Sequence, residues 1–257
     1  MELTQENYYS VEANKEYMSY SQFKQFETCE AMAIAEMNGE WQRELTDALL
    51  EGSFLEACVN GTEDDFIARF PEILSTRGKT EGLPKANFRK VYDIVEFVHD
   101  DEFFMSYLTG QQQVIMTGEI NGVKYKGALD FKNEKGIVDT KKLKDFKPKW
   151  QNGAYRNIIE YWGYDIQAAI YRHLDGSNPA YYIGGVTMEK TPDHAIIEIP
   201  SDYIDVKFEQ VFNNSPYYDT IKKGILKPKR CGVCDYCKST KKLDKVISIY
   251  ELEEMYR

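Results

Sequence analysis

Asp130 closes the stretch Gly127-Ala128-Leu129-Asp130, and Asp139 and Lys141 sit in Ile137-Val138-Asp139-Thr140-Lys141, so two short apolar segments each deliver a carboxylate and the second adds a lysine. Those residue types suit phosphodiester cleavage. Mg²⁺ is a hard ion that takes oxygen ligands, commonly one or two carboxylates, with water and phosphate oxygens completing its shell. An ion held this way polarises the phosphate and acidifies a bound water, and a nearby lysine can orient that water or take its proton. Asp-x-Lys alone says little in a chain with 42 acidic and 32 basic residues, where it ordinarily marks a solvated strand end.

The elements that must position these groups raise the signal. On an extended strand alternate side chains share a face, so Asp139 and Lys141 point together while Thr140 points away. The segment from Asn133 to Gly136 predicts a hairpin turn that brings Asp130 near Asp139. Upstream, Leu49, Leu50, Phe54, Leu55 and Cys58 predict an apolar helix face. Gly52 stands there for close approach of another backbone, and Glu56 as a third oxygen ligand. A lone helical glutamate is more often simply exposed. Downstream, Gln167 and Tyr171 stand four apart on a helix predicted from Asn157 to Leu174. They could touch a phosphate or base there, although packing on a sheet explains Tyr171 equally well.

Together these residues resemble the PD-(D/E)XK nuclease superfamily, in its RecB/RecE-like branch that includes phage-type exonucleases, from about Ser19 to Lys238. The resemblance implies catalytic roles for Asp130, Asp139, Lys141, Gln167 and Tyr171, and metal ligands at Glu56, Asp130, Asp139 and the Thr140 backbone carbonyl. Three departures stand out: Leu129 precedes Asp130 where proline is common, Glu56 replaces a frequent histidine, and Lys142 replaces the usual threonine after Asp-x-Lys. The activity implied is that of a Mg²⁺-dependent (or Mn²⁺-dependent) deoxyribonuclease. It would resect linear double-stranded DNA from its ends for a single-strand annealing or recombinase partner. Two alternatives are a cluster-bearing nuclease of the CRISPR-adaptation type and a non-catalytic DNA-binding protein of the same fold.

Cys231-Gly-Val-Cys234-Asp-Tyr-Cys237 is a doubled Cys-x-x-Cys, too dense in thiols for core packing. Three thiolates need a fourth ligand to close a zinc or iron-sulphur site, and Cys29 and Cys58 are the candidates. Cys58, two residues from Glu56, reads as a structural thiol. The resemblance implies Cys29, with Cys231, Cys234 and Cys237, as ligands of a [4Fe-4S] cluster joining the two ends of the nuclease; zinc in the same four thiolates is the alternative, since spacing does not choose the metal. Five cysteines and no charged-then-apolar leader argue against disulfides and for a reducing cytoplasm.

A formal charge of −10 runs against a nucleic-acid enzyme, but binding depends on where positive charge sits. Lys142, Lys144, Lys147 and Lys149 cluster after Lys141, with Trp150 and Tyr155 nearby to stack on a frayed base, and a second basic run covers Lys222, Lys223, Lys227, Lys229 and Arg230. Such runs are also the ordinary make-up of solvated faces. No apolar run approaches a membrane span of about 18 residues.

Helices are predicted near 21–38, 44–60, 64–68, 85–107 and 201–223, and strands near 112–119, 124–131, 136–141, 180–189 and 194–199, with Asn121-Gly122 as a hairpin turn. This order predicts an α/β fold: a restriction-endonuclease-like core with a mixed central sheet flanked by helices. A helical region over 1–110 would precede the core at 111–220, and a cysteine-rich segment over 221–257 would close one compact unit.

Overall fold

A computed structural model describes residues 1–151, 153–243 and 246–255. The first half is mainly helical: α1 (Val11–Glu16), a two-residue strand β1 (Met18–Ser19), α2 (Tyr20–Thr28), α3 (Glu30–Met37), α4 (Asp47–Val59), α5 (Glu63–Arg69), α6 (Ala86–His99) and α7 (Glu102–Met105). Then come β2 (Gln111–Ile120), β3 (Val123–Asn133), β4 (Gly136–Leu143), the small hairpin β5 (Lys149–Gln151) and β6 (Ala154–Arg156), α8 (Ile158–Trp162) and α9 (Tyr164–Asp175). The chain ends with β7 (Tyr181–Thr187), β8 (His194–Ile199), α10 (Ser201–Lys222), α11 (Asp235–Ser239) and α12 (Ile249–Met255).

The main sheet runs β1-β3-β4-β7-β8, with β2 paired to β3 as well. Both expected hairpin turns form. Asn121 and Gly122 take φ +48° and +78°, the left-handed pair that a two-residue turn demands, and Asn133 pairs with Gly136 across the β3-β4 turn. β4 and β7 are parallel, so their connection must cross over, and it does so through α8 and α9. That crossover lays α9 over the centre of the sheet.

Alternation along β4 and β7 divides the core into two layers, whereas on β3 Leu129 and Phe131, two apart, fall in different ones. Leu129, Ile137 and Ile183 pack with Phe23, Ile170 and Val211 beneath α2, α9 and α10; Phe131, Val138 and Val186 pack with Phe54, Phe88 and Phe104 beneath α4, α6 and α7. Asp139 follows Ile137 by two and therefore lies on the α9 side.

Three helices expected to be continuous are broken. The segment 21–38 divides at Cys29, which is extended at φ −165° and ψ 109° and ends α2 as it begins α3. The segment 157–174 divides at Gly163, left-handed at φ +76°. The segment 85–107 divides at Asp100 and Asp101, the latter capping α7 by accepting from Phe104 N–H. No helix among the described residues is long and apolar enough to cross a membrane.

Candidate active site

One edge of β3 serves two strands. β1 lies parallel to it at Tyr125 and Lys126, and β4 antiparallel at Phe131, Lys132 and Asn133. Between them, among the described residues, 127–130 have no strand partner on that edge, while β4 beyond Val138 pairs only with β7. The sheet therefore forks, and polar backbone in the fork must find other partners. Asp130 Oδ2 accepts from both the N–H and the Oγ1 of Thr140, each at 2.8 Å. In an extended residue the N–H and C=O face the same neighbouring strand, so the Thr140 carbonyl also faces the fork.

Asp139 is almost wholly buried. Gln167 Nε2, from α9, donates to its Oδ1 at 2.7 Å, and Lys141 forms an ion pair with its Oδ2. Apart from that ion pair, Oδ2 has no hydrogen-bonding donor among the described residues. Tyr171, one turn beyond Gln167, lays its ring against Gly127: a Cβ there would stand 2.8 Å from the ring edge, so the absent side chain is what admits the tyrosine.

Glu56 arrives from α4, its Oε1 accepting from Gln113 Nε2 at 2.9 Å. Gln113 has φ +50° and drops out of the β2-β3 ladder between Gln112↔Phe131 and Val114↔Leu129, with the register unchanged on either side. Its carbonyl accepts from Gln5 Nε2 at 2.7 Å. A single cavity of about 400 Å³ is lined by Glu56, Asp130, Asp139, Lys141, Gln167 and Tyr171, with Tyr9, Tyr20 and Lys126 in its walls.

Burial, and then the Asp130 charge, push Glu56 up to about 7. Burial likewise raises Asp139; Lys141 opposes this, and Asp130 and Glu56 add to it. Burial alone would lower Lys141, but Asp139 and Asp130 outweigh it and hold the ammonium above the ordinary lysine range. Three carboxylates thus share a desolvated cavity in which Lys141 is their closest counter-charge. Their oxygens, with the Thr140 carbonyl, are a donor set that fits a divalent cation of the Mg²⁺ or Mn²⁺ type.

Some sequence-predicted residues lie elsewhere. Lys142 turns to the opposite face of β4, where its Nζ donates to Ala48 O at 2.9 Å and Glu51 Oε2 at 2.8 Å, so this ammonium is committed to α4. Lys149 pairs with Asp145 at 2.6 Å, whereas Lys144 and Lys147 are exposed. In the second basic run, Lys222 donates to Tyr17 O and Gln22 Oε1, and Arg230 to Cys237 O and Thr240 Oγ1, which makes both structural. Gly52 admits no close neighbour; a Cβ there would meet open space.

Two residues of the site had no reading in the sequence. Lys126 is fully buried, donating to Tyr8 O and to Asn14 Oδ1. Its signal was a lysine inside the apolar run of β3. Gln113 has no sequence signal, because its role follows from a left-handed residue skipped by the ladder, which only the paired strands reveal.

The four expected thiols meet at the other end of α2. The Sγ atoms of Cys29, Cys231, Cys234 and Cys237 all lie within 4.8 Å of one another, Cys29 and Cys237 at 3.6 Å and Cys231 and Cys237 at 3.9 Å. Cys234 N–H donates to Cys231 Sγ at 3.3 Å and Cys237 N–H to Cys234 Sγ at 3.4 Å. Hydrogen bonds of this kind lower Cys231 to about 7 against the effect of burial. Beside the thiols, Glu30 joins the two ends of the chain, accepting from Lys229 N–H at 2.7 Å and Tyr217 Oη at 3.0 Å. Cys58 is remote from this group, and burial raises its thiol to about 12.

A forked mixed sheet carrying an Asp, an Asp-x-Lys and a crossover helix with a Gln over the second Asp defines the PD-(D/E)XK class of fold. Residues 19–240 match the family described as a PDDEXK-like domain of unknown function (DUF3799), and the chain belongs to it. The crystal structure of the "Putative exonuclease" from Eubacterium rectale is 38% identical and covers 98% of each chain, with a TM-score of 0.92. The structure of SSO0001 aligns with 81% of this chain and 91% of that one at 15% identity and a TM-score of 0.33. No curated protein matches the chain.

Because a cation binds the ionised carboxylates, elevated pKa values set where binding weakens. Mn²⁺ affinity, measured by calorimetric titration, is expected to fall as pH drops through about 7, by roughly tenfold or more per unit, with proton release on binding. Affinity that stays flat down to about pH 5, where ordinary carboxylates remain ionised, would contradict this electrostatic account.

Proposed function

We propose that this protein is a divalent-metal-dependent deoxyribonuclease acting on linear double-stranded DNA from its ends. The observation that carries the reading is the convergence of Glu56, Asp130, Asp139 and Lys141 on one polar cavity at the fork of the sheet. Glu56, Asp130, Asp139 and the Thr140 carbonyl are the groups that would hold Mg²⁺ or Mn²⁺. The metal supplies Lewis-acid polarisation of the phosphate and a water acidic enough to attack it.

The protein groups have separate tasks. Gln167 fixes the rotation of Asp139 through the Oδ1 contact. Lys141, held cationic by its carboxylates, orients the attacking water and meets developing negative charge on the phosphate rather than taking a proton. Tyr171 sets the wall against which Gln167 stands. Lys144 and Lys147 are the exposed lysines beyond the second catalytic strand that meet the DNA backbone.

End-directed action draws support from the exonuclease named for the Eubacterium rectale structure, which matches nearly the whole chain. By resemblance to phage-type members, the product is single-stranded DNA for an annealing or recombinase protein, made in a bacterial cytoplasm.

The four thiolates would hold a structural metal. In a tetrahedral zinc site with Zn–S bonds of about 2.3 Å, sulphurs stand roughly 3.8 Å apart, whereas a cubane seats each thiolate on a separate iron and so holds them farther apart. Separations of 3.6 and 3.9 Å for two pairs, with all four sulphurs within 4.8 Å of one another, support zinc as a reading beside the [4Fe-4S] cluster expected by resemblance.

Two measurements test these readings. With Mg²⁺, the wild type is expected to degrade end-labelled linear duplex and spare closed circles. Lys141→Ala should lose about 10²-fold or more in rate with DNA binding intact; equal cleavage by both proteins would remove Lys141 from the chemistry. Anaerobically purified protein is expected to be colourless with one zinc per chain, and a brown protein with broad visible absorbance would restore the iron-sulphur reading.

A further inference from the structure

The β5-β6 hairpin is built inside out. Trp150 and Tyr155 are directly paired across its two strands, so they share a face, and their rings meet edge to face with centroids 5.1 Å apart. That face looks into solvent: Trp150 is 63% exposed and Tyr155 73%. The alternate residues Lys149, Gln151 and Ala154 are the half-buried ones, and the hairpin rests on α8. Lys149 on that side is tied to Asp145, and Arg156 approaches Glu160 of α8 at 4.0 Å.

A two-stranded hairpin is marginal in water, and one serving only stability would bury its aromatic pair and expose its polar residues. This one does the reverse. It therefore presents an aromatic platform to something outside the protein. Lys144 and Lys147, just before β5, are exposed, and among the described residues neither forms a direct ion pair, although the Lys147 charge reaches Asp145. Two solvent-exposed aromatic rings on a chain segment that also carries exposed lysines complement a nucleobase carried on a phosphate backbone. The place is also apt: the hairpin begins eight residues after Lys141, and α8 beneath it leads through Gly163 to Tyr164, whose ring lies 5.3 Å from Lys141 Nζ.

We infer that Trp150 and Tyr155 form a stacking platform for unpaired bases of single-stranded DNA at the border of the cleavage site. This rests on the nuclease reading for the identity of the ligand. Its consequence is that a frayed or single-stranded end is captured beside the fork while Lys144 and Lys147 meet its phosphates.

The test is titration of metal-free protein with a short oligothymidylate, following tryptophan fluorescence, for the wild type, Trp150→Phe, Trp150→Ala and Trp150→Ala with Tyr155→Ala. Wild-type emission should be quenched on binding. Trp150→Ala should remove that quenching, since the emission left comes from Trp41 and Trp162, which are not in the platform, and weaken affinity roughly 5- to 150-fold; Trp150→Phe should retain most of the affinity. Circular dichroism checks that the variants fold. Affinity of the double variant within twofold of wild type would overturn the platform. So would sedimentation showing that the double variant turns a dimer into a monomer without weakening DNA binding, since the face would then join two copies of the chain. The nuclease reading is judged separately, by Mg²⁺-dependent cleavage: a protein that stacks DNA through Trp150 yet never cuts it keeps the platform and loses the enzyme.

Discussion

The structure turns on the fork in the sheet, where β3 gives one end of an edge to β1 and the other to β4. A sheet left open between two strands carries backbone groups that need partners, and burying them unpaired costs on the order of 1–3 kcal/mol each. Asp130 satisfies the Thr140 N–H with a side chain, and in doing so fixes a carboxylate at the branch point. The same divergence exposes Asp139 and Lys141 to the cavity, aims the Thr140 carbonyl into it and leaves room for Gln167 from above. Without the fork these residues would lie in a continuous ladder with no space between strands for a substrate.

The site is expensive to hold in the metal-free state. Buried carboxylates near one another resist ionisation, and breaking a desolvated ion pair leaves an uncompensated charge. Lys141 offsets part of this through Asp139, while Gln167 and Gln113 each donate one hydrogen bond to a carboxylate. A cation would replace mutual repulsion by attraction, which is why such an arrangement reads as function rather than stability. The left-handed Gln113 fits the same pattern, a backbone held off its usual basin beside the chemistry.

Much of this was legible in local sequence because the local rules were strong. Strand alternation placed Asp139 with Lys141, two Asn-containing turns set the register of β2, β3 and β4, and three closely spaced cysteines announced a thiolate site. What escaped depended on tertiary context. Helical periodicity runs through Cys29, but its extended backbone turns Sγ toward the distant cysteine loop. Gly163 likewise breaks a pattern that looked continuous, letting α9 take its own angle over Asp139. Lys142 looked like a phosphate contact by neighbourhood alone; one residue of alternation sends it to the other face and to Glu51. β1, two residues long, has no sequence signature at all, although it forms one arm of the fork.

The thiolate group and the fork are connected through α2, which begins at Ser19 and Tyr20 on the cavity wall and ends at Cys29. A metal held by the four thiolates would join Cys29 to the C-terminal loop and so steady one wall of the site from outside it. The central claim is that Glu56, Asp130 and Asp139 form a divalent metal site at the fork. The most direct measurement is a crystal structure with Mn²⁺, located by its anomalous scattering. The account predicts Mn²⁺ bound by these carboxylates and the Thr140 carbonyl, with Lys141 released from its direct ion pair with Asp139. Clear density for the intact Asp139–Lys141 pair, with Mn²⁺ absent from the fork at saturating concentration above pH 7, would contradict it.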